Sequence, residues 1–543
     1  MTASSFSVAD VVGATLARLG ADHVFGVVGS GNFHVTNALV AGGARFVATR
    51  HEGGAATAAD AFARVSGRPA LVTVHQGCGL TNAMTGLAEA AKSRTPMVVL
   101  AAEATAPRSN FRVDQDALAI AVGASPVRVR GAETAVEDAA AAWHLAVGER
   151  RTVVLNLPLD VQSAEASLVD PPEVVVAALP APSVMELASL LAGAARPVFI
   201  AGRGAVGHRD ELLELAAACG ALVATSAAAK GLFVGDPWAL DVSGGFATPV
   251  AASLIADADV VVAWGSSLNM WTTRHGALIG PAAIVAQVDL DPSALGGHHR
   301  VDVGIVGDVG SCARAVLSAL PGTAAGYRSP EVLARLGASG RWRDVPYEDD
   351  GDELHIDPRT LTIALDDLIP SARVVAVDSG NFMGYPSMFL SVPDQRGFCF
   401  TQAFQSIGLG LASALGAALA SPGRLPVAAC GDGGFLMAIA ELETICRLGL
   451  GMLIVVYNDS AYGAEVHHFG PGGHPLSTVV FPETDIAAIA RGYGCEAVTV
   501  RGADDLGPVA KWLAGPRTAP MVVDAKVAAG RPSWWLEEAF RGH

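Results

Sequence analysis

The chain has 543 residues, 51% of them hydrophobic, and this length allows three to four globular domains of common size. The net charge is −17 and the Lys and Arg residues are scattered, which excludes a polyanion-binding surface, so we expect no nucleic-acid partner. No apolar run of about 18 residues is present to span a bilayer, and the N-terminus lacks the pattern of a signal peptide. We therefore expect a cytoplasmic enzyme without membrane contact.

The cysteines agree with this location. Seven of them are spread along the chain without any CxxC pair. An odd, widely spaced set is typical of reduced thiols and not of a disulfide framework or a zinc site.

Helix-like and strand-like segments alternate along the first part of the chain. The predicted helices lie at 8–19, 35–41, 55–66 and 81–93, and the predicted strands at 23–28, 45–49, 70–74 and 97–101. Strands that are separated by helices form parallel sheets with helices on both faces. We therefore predict a doubly wound α/β domain at residues 1–165.

A second α/β domain is predicted at residues 183–322, between two linkers. The first linker, at residues 163–183, is Pro-rich and has no helical period. The second linker, at residues 321–353, is charged and Gly-rich. A third α/β domain is predicted at residues 355–543, which gives three doubly wound domains with parallel sheets.

The central domain contains glycines that fit the GxGxxG pattern of dinucleotide-binding proteins. These are Gly202, Gly204 and Gly207, which follow a predicted strand. The pattern also needs an acidic residue at the end of the next strand, and this chain has Ser226 there. We therefore do not expect NAD binding.

The third domain holds a β-α-β unit with polar residues at both strand ends. Its strands are predicted at 427–430 and 452–456. The glycines after the first strand allow the backbone to approach a phosphate; they are Gly431, Gly433 and Gly434. Asp432 lies among them and Asp459 follows the second strand, so a divalent cation is needed between these carboxylates and a diphosphate.

This stretch resembles the GDG…N signature of thiamine diphosphate (ThDP) enzymes, in the branch of acetolactate synthases, pyruvate and benzoylformate decarboxylases and benzaldehyde lyase. The resemblance implies ThDP and Mg2+ as cofactors, with Asp432, Asp459 and the backbone carbonyl of Ala461 as metal ligands. Asp459 stands where the family usually has Asn and keeps an oxygen ligand. A second register would use Asn458 and Ser460 instead; we prefer the first because it preserves the spacing to the next glycine.

The resemblance extends to the other contacts of the cofactor. It places a large apolar side chain under the bend of ThDP, and Ile407 stands at that position. It also implies a loop over the diphosphate after an upstream strand. The implied cofactor contacts are Ser379, Gly380, Asn381, Ile407, Gly431, Asp432, Gly433, Gly434, Asn458 and Tyr462.

Glu52 begins a predicted helix after the strand at 45–49. Taken alone, it fits a charge at a helix N-terminus. Beside the GDGG stretch it resembles the catalytic Glu of ThDP enzymes, which contacts the N1′ atom of the aminopyrimidine across a subunit boundary. The resemblance therefore implies a homodimer or homotetramer with active sites at the subunit interface.

Two further residues resemble the catalytic groups of benzoylformate decarboxylases. Ser30 lies in a predicted substrate loop with Gly29 and Gly31, and it matches a substrate-contacting Ser. His75 stands where those enzymes carry a catalytic His, while acetolactate synthases usually have Thr. The alternative for His75 is a strand-end histidine that is bonded to backbone.

Other stretches resemble different members of the family. Residues 111–114 resemble the Phe-Gln-x-x-Asp stretch of acetolactate synthases, with Arg112 in place of Gln, and an Arg there can bind a carboxylate bidentately. Residues 462–468 resemble a stretch of benzaldehyde lyase, which makes Glu465 and His467 candidate substrate contacts. The alternative for these side chains is a solvated surface.

Together these resemblances favour a 2-oxo acid decarboxylating carboligase, similar to acetolactate synthase, that joins a 2-oxo acid to an aldehyde or ketone. The alternatives are a non-oxidative decarboxylase or acyloin lyase that uses His75, and a catalytically silent ThDP-binding scaffold. In some relatives the central domain holds FAD or a nucleotide. Nothing in this sequence requires either, and we expect no FAD.

Overall fold

The computed structural model describes residues 6–172 and 182–539, and it contains three α/β domains, each built on a six-stranded parallel sheet. Every strand pair inside these sheets is parallel, so helices connect the strands and cover both faces. This arrangement confirms the predicted fold class. No helix in the described part of the chain is long and apolar enough to cross a membrane.

The N-terminal domain contains eight described strands and seven helices. The strands are β1 Phe6–Ser7, β2 His23–Gly26, β3 Arg45–Ala48, β4 Ala70–Val74, β5 Met97–Glu103, β6 Ser125–Arg128, β7 Thr152–Pro158 and β8 Glu165–Ala166. The helices are α1 Val8–Arg18, α2 Phe33–Ala41, α3 Glu52–Ser66, α4 Cys78–Lys92, α5 Gln115–Ala121, α6 Ala135–Gly148 and α7 Leu159–Gln162. The main sheet has the order β3-β2-β4-β5-β7-β6, and β1 pairs antiparallel with β8.

The central domain also has a six-stranded parallel sheet with helices between its strands. Its strands are β9 Pro197–Ala201, β10 Leu222–Thr225, β11 Ala239–Val242, β12 Val260–Trp264, β13 Ile284–Asp289 and β14 Val303–Val306, in the order β11-β10-β9-β12-β13-β14. Its helices are α8 Met185–Gly193, α9 Arg209–Cys219, α10 Pro249–Ala256, α11 Met270–Thr273 and α12 Val309–Ala319. This order is the one found in doubly wound dinucleotide-binding folds.

The C-terminal domain carries the β-α-β unit. Its strands are β15 Arg373–Val377, β16 Phe398–Phe400, β17 Leu425–Gly431, β18 Leu453–Asn458, β19 Glu496–Val500 and β20 Met521–Lys526. With α13 Pro330–Ser339 in the preceding segment, the helices continue as α14 Pro358–Leu368, α15 Gly384–Phe389, α16 Gly410–Ala420, α17 Asp432–Met437, α18 Ala440–Arg447, α19 Gly463–Phe469, α20 Ile486–Gly492, α21 Gly507–Ala514 and α22 Trp534–Ala539.

The two outer domains share one strand order. The C-terminal sheet runs β16-β15-β17-β18-β20-β19, which is the N-terminal order with each strand replaced by its counterpart. The order reverses between β2 and β4 in one sheet and between β15 and β17 in the other. Ligands of open α/β sheets bind at the carboxyl ends of the strands beside such a reversal, so the topology places one half of a site in each outer domain.

The outer domains pack directly on each other through α3 and α16. A side chain at Gly416 would lie 2.0 Å from the carbonyl oxygen of Ala58, so glycine is needed for this close approach. Buried residues of both helices, including Phe62 and Leu415, belong to one continuous hydrophobic core. The relative position of the outer domains within one chain is therefore set by buried apolar surface.

The segment predicted as the second linker contains helix α13. Ser329 caps it by accepting a hydrogen bond from the backbone N–H of Val332, and Pro330 occupies its first turn. Val332 and Leu336 are buried against the central domain. The segment predicted as a charged, Gly-rich linker thus contains a capped, amphipathic helix that the sequence analysis did not identify. Of the first linker, residues 173–181 lie outside the described residues, and residues 165–166 form strand β8.

Candidate functional site

The first half of the site lies at the carboxyl ends of β15, β17 and β18. Residues from the loops after these strands line one cavity of about 2250 Å3, which also extends between the N-terminal and central domains. Of the predicted cofactor contacts, all but Glu52 and Asn458 line this cavity. The lining includes Ser379, Gly380, Asn381, Ile407, Gly431, Asp432, Gly433, Gly434, Asp459, Ala461 and Tyr462.

Asp432 and Asp459 come together at this edge of the sheet. Their carboxyl groups are in hydrogen-bonding contact, and burial together with their mutual repulsion raises the pKa of Asp459. Burial also raises the pKa of Asp432. Two carboxyl groups in contact share a proton or hold a cation, so this donor set fits a hard divalent ion.

The remaining ligands of such an ion have to come from elsewhere. Within residues 6–172 and 182–539 no group of three or more His, Cys, Asp or Glu side chains could hold a metal. The pair of carboxylates therefore needs backbone carbonyl and phosphate oxygens to complete an octahedral shell. Ala461 lies two residues beyond Asp459, and its N–H donates to Asp459 Oδ1 at 3.2 Å.

The Asn458 side chain is hydrogen-bonded to two neighbouring residues. Its side-chain N–H donates to Asp524 Oδ1 at 2.8 Å, and its Oδ1 accepts from the backbone N–H of Ser460 at 3.1 Å. This geometry fits the register that uses Asp459 and Ala461. In the other register the Asn458 side chain would have to leave two internal hydrogen bonds.

Two aromatic rings explain the glycines of the first strand end. A Cβ at Gly431 would lie 3.1 Å from the ring of Phe382, and a Cβ at Gly433 would lie 2.7 Å from the ring of Tyr462. The side chains of Phe382 and Tyr462 thus cover the backbone of β17 and α17 closely. Only glycine leaves room for this contact.

Asp378, at the end of β15, anchors the loop that carries Ile407. Its carboxylate accepts from the backbone N–H groups of Ser379 at 2.8 Å, Gly408 at 3.1 Å and Leu409 at 3.1 Å. Burial raises the pKa of Asp378 to about 6 despite these donors. A buried carboxylate that binds backbone on two loops is a positioning group. It was not predicted, although it immediately precedes the predicted loop.

The second half of the site lies at the carboxyl ends of β3 and β4 in the N-terminal domain. Glu52 is 9% exposed at the start of α3, and Asn82 on α4 donates to its Oε2 at 3.1 Å. A Cβ at Gly79 would lie 3.3 Å from His75 Cβ and 3.4 Å from Glu52 Oε1. Glu52 and His75 therefore lie close together on either side of Gly79. Asn82 was not predicted.

The orientation of His75 is set by the loop after β2. Nδ1 of His75 accepts a hydrogen bond from the backbone N–H of Gly31 at 3.2 Å. A neutral imidazole that accepts at Nδ1 carries its proton at Nε2, which is then a donor. The ring also makes an edge contact with Phe111, with 5.3 Å between ring centroids. Both alternatives for His75 are thus compatible with this bond.

The predicted substrate residues occupy exposed positions around these two halves. Ser30 and Arg112 are exposed, and the Arg112 guanidinium has no ionic or hydrogen-bonding partner among the described residues. Glu465 is exposed and lines the cavity. His467 is partly buried, burial lowers its pKa, and it does not line the cavity.

One chain does not join the two halves of the site. Glu52, His75 and Ser30 are absent from the lining of the cavity that holds Asp432 and Ile407. Glu441 on α18 instead fixes the turn before Glu52 to the C-terminal domain of the same chain, since its carboxylate accepts from the backbone N–H groups of Arg50 and His51. Glu441 was also not predicted, although it lies on the helix of the GDGG unit.

The cavity continues into the central domain beside Arg203. Burial, followed by the neighbouring Arg64, lowers the pKa of Arg203 to about 9. The Arg203 guanidinium has no ion-pair or hydrogen-bond partner among the described residues. A Cβ at Gly202 would lie 2.2 Å from the carbonyl oxygen of Gly265 and one at Gly204 would lie 2.8 Å from Gly265 Cα, so these two glycines of the GxGxxG pattern serve the packing of two strand ends. The expected absence of FAD stays a prediction.

Comparison with known proteins agrees with this architecture. Residues 6–121 match the N-terminal TPP binding domain of the thiamine pyrophosphate enzymes, residues 184–320 match their central domain, and residues 378–525 match their C-terminal TPP binding domain. The three matches cover most of the chain in the order of the family. The chain therefore belongs to the thiamine diphosphate enzyme family, and it is a ThDP-dependent carboligase or decarboxylase.

Relatives with assigned activities fall into several groups. The chain is 28% identical over 541 residues to the acetolactate synthase large subunit of Parasynechococcus marenigrum, covering 95% of this chain and 86% of that protein. It is 29% identical over 538 residues to the sulfoacetaldehyde acetyltransferase of Castellaniella defragrans, covering 92% and 88%. It is also 29% identical over 515 residues to a probable 2-ketoarginine decarboxylase of Pseudomonas aeruginosa, covering 90% and 89%.

Proposed function

We propose that the protein is a ThDP- and Mg2+-dependent 2-oxo acid decarboxylating carboligase, similar to acetolactate synthase. The observation that carries this proposal is the contact between Asp432 and Asp459, which supplies a two-carboxylate metal site at the reversal of the C-terminal sheet. The orientation of Glu52 by Asn82 adds a positioned acid–base group. Cytoplasmic location is part of the same proposal.

The residues of the chain have distinct tasks in this reaction. Asp432, Asp459 and the carbonyl of Ala461 would hold Mg2+, and the Ser379 hydroxyl and the Gly380 N–H would donate to the diphosphate. When bound, ThDP supplies the nucleophilic carbon and the electron sink for decarboxylation. Further contacts to the cofactor would come from the glycines of β17 and α17 and from Asn381, Ile407 and Tyr462.

Glu52 is the proton-transfer group of the proposed mechanism. Its carboxyl, which Asn82 orients through Oε2, would hold or accept a proton at the aminopyrimidine ring nitrogen of bound ThDP. His75 donates from Nε2 to a substrate oxygen. Ser30, Gly29 and Gly31, in the loop after β2, lie around this substrate.

Carboligation is favoured over simple decarboxylation by Arg112. Its unpaired guanidinium follows Phe111, whose ring contacts His75, so an anionic group on a substrate can pair with it beside the acid–base residues. On the C-terminal side Glu465, which lines the cavity, contacts the second substrate; His467 does not line the cavity and is not assigned this role. A non-oxidative decarboxylase or acyloin lyase that uses His75 is the second candidate, supported by the Nε2–H donor.

Because one chain leaves the two halves apart, we propose that two copies form each active site, in a homodimer or homotetramer. Glu52→Gln and Asp432→Asn are each expected to be inactive alone. When the two variants are mixed, unfolded together and refolded, the mixture should regain about a quarter of wild-type activity. Half of the dimers then contain one chain of each variant, and each of these has one intact site out of two. A mixture that stays inactive would show that each site belongs to one chain.

Proton NMR of the purified protein with ThDP and Mg2+ tests the reaction itself. The donors are pyruvate, benzoylformate and 2-ketoarginine, each with and without an aldehyde or a second 2-oxo acid. Acetolactate or a mixed acyloin supports carboligation, and free aldehyde alone supports the decarboxylase. A protein that binds ThDP and turns over no donor is a silent scaffold.

A further inference from the structure

Residues 405–408, here called the wedge loop, lie in the connection between β16 and α16, and Ile407 within them lines the cofactor cavity. The loop contains no helix or strand, and Gln405 has a φ of 62°, which is uncommon for a residue with a side chain. Such a conformation persists only when the surrounding structure fixes it. The position of Ile407 therefore depends on what holds the two ends of the loop.

The two ends are held by buried carboxylates from different domains. On the C-terminal side Asp378 binds the N–H groups of Gly408 and Leu409, as described above. On the N-terminal side Glu89, on helix α4 of the N-terminal domain, accepts from the N–H of Ala403 at 3.0 Å and of Phe404 at 2.6 Å. Both carboxylates are fully buried, at 0% exposure.

Glu89 is held in its ionised form. Burial alone would raise its pKa, but the Arg64 guanidinium at 2.7 Å and the two backbone donors outweigh burial and keep the pKa of Glu89 below its ordinary value. Arg64 also donates to the carbonyl oxygen of Phe400 at 2.8 Å. The ion pair of Glu89 and Arg64 thus binds three backbone groups just before the wedge loop: the carbonyl of Phe400 and the N–H groups of Ala403 and Phe404.

We propose that Glu89 is a positioning residue, which sets the place of Ile407 in the cofactor cavity through the backbone of Ala403 and Phe404. This inference rests on the proposed function, because Ile407 matters only if ThDP is bound. Its consequence is that the packing of the N-terminal domain on the C-terminal domain decides the geometry of the cofactor. A substitution in α4 should change cofactor activation without touching the cofactor.

Glu89→Gln tests this directly. The amide keeps the size of the side chain but has only one oxygen, so its NH2 group faces the backbone N–H of either Ala403 or Phe404 and one of the two anchoring bonds is lost. We expect the H/D exchange rate of the C2 proton of bound ThDP to fall by about 10-fold or more. Quenched-flow NMR without substrate measures this rate. The Kd of ThDP should change less than this rate, and amide exchange of residues 401–409 should become faster.

Glu89→Asp is the second variant if Glu89→Gln does not fold. It keeps the charge for Arg64 and withdraws the carboxylate from the loop, and the same changes are expected with smaller size. Asp138→Asn is the matched control: Asp138 is 5% exposed and also binds a backbone N–H and a guanidinium, both of Arg130. Its bonds lie within the N-terminal domain, so C2 exchange should stay at the wild-type rate.

The proposal is overturned if both Glu89 variants keep wild-type C2 and amide exchange, or if Asp138→Asn slows C2 exchange as much. These readouts need no 2-oxo acid. If the wild-type protein exchanges the C2 proton of ThDP but converts no donor, the proposed function is disproved, and the exchange rates of the Glu89 variants still test this inference. A wild-type protein that does not bind ThDP would overturn both.

Discussion

Glu441 accepts a hydrogen bond from the backbone N–H of His51 at 3.0 Å, and this bond joins the turn before Glu52 to the C-terminal domain. The same carboxylate accepts from Arg50 N–H at 3.1 Å, and a Cβ at Gly54 would lie 2.3 Å from its Oε1. Each outer domain thus places a buried glutamate against a loop of the other, since Glu89 does the same for Ala403 and Phe404.

Glu441→Ala should therefore destabilise the protein. It leaves the backbone N–H groups of Arg50 and His51 without their acceptor, which costs about 1–3 kcal/mol in the free energy of unfolding. Urea unfolding followed by circular dichroism measures this loss. Glu443→Ala is the control, because Glu443 pairs with the exposed side chain of Arg50 and little change is expected. Equal losses in the two variants would contradict the role of Glu441.

Asn82→Ala should slow the reaction more than it weakens cofactor binding. The variant removes the 3.1 Å hydrogen bond that orients Glu52, and we expect kcat to fall about 10-fold while the Kd of ThDP changes less. Steady-state kinetics and ThDP titration give the two numbers. The adjacent Thr81 is exposed and bonds only locally to Cys78, so Thr81→Ala should keep wild-type kcat.

Mg2+ affinity should rise with pH. The pKa values of Asp432 and Asp459 are both raised, so a proton is held at the pair and has to leave when the metal binds. Without metal, the raised pKa values also mean that stability falls as pH increases from the unfolded values near 4. Calorimetry in buffers of different ionisation enthalpy should show proton release on binding Mg2+ with ThDP.

Asp459→Asn removes one of the two negative charges and introduces the residue that the family usually has at this position. It removes the repulsion on Asp432, so the variant should still bind Mg2+ but release fewer protons, with a flatter dependence on pH. A wild-type protein whose Mg2+ affinity is constant between pH 6 and about 8 would contradict the coupling of the two carboxyl groups.

Arg112→Gln should act on substrates according to their charge. If the guanidinium pairs with an anionic group, KM for a 2-oxo acid acceptor should rise about 10- to 100-fold, which corresponds to the loss of a charge-assisted hydrogen bond. The KM of a neutral aldehyde acceptor should stay the same, and Arg112→Lys should be intermediate because it keeps the charge. An equal rise for neutral and anionic acceptors would show a structural role.

Much of the fold followed from the pattern of the sequence. Strand β4 was predicted at its observed bounds, and the bounds of helix α1 and strand β2 differ from prediction by two residues or fewer. Parallel strands that are buried on both faces have continuous apolar runs with helices between them, and this signal is local. The GDGG unit and Glu52 could be found for the same reason, because each lies at the end of such a strand.

Tertiary structure decided which polar groups meet. The sequence could not show that Asp459 contacts Asp432 while Asn458 turns to Asp524, because the choice depends on neighbouring strands. Nor could it show the roles of Glu89 and Glu441, whose partners lie more than 300 residues away in the chain. A glutamate on a helix has the same local pattern whether it faces solvent or a loop of another domain. Only the packing of α3 on α16 buries these carboxylates and brings them to the backbone groups that they bind.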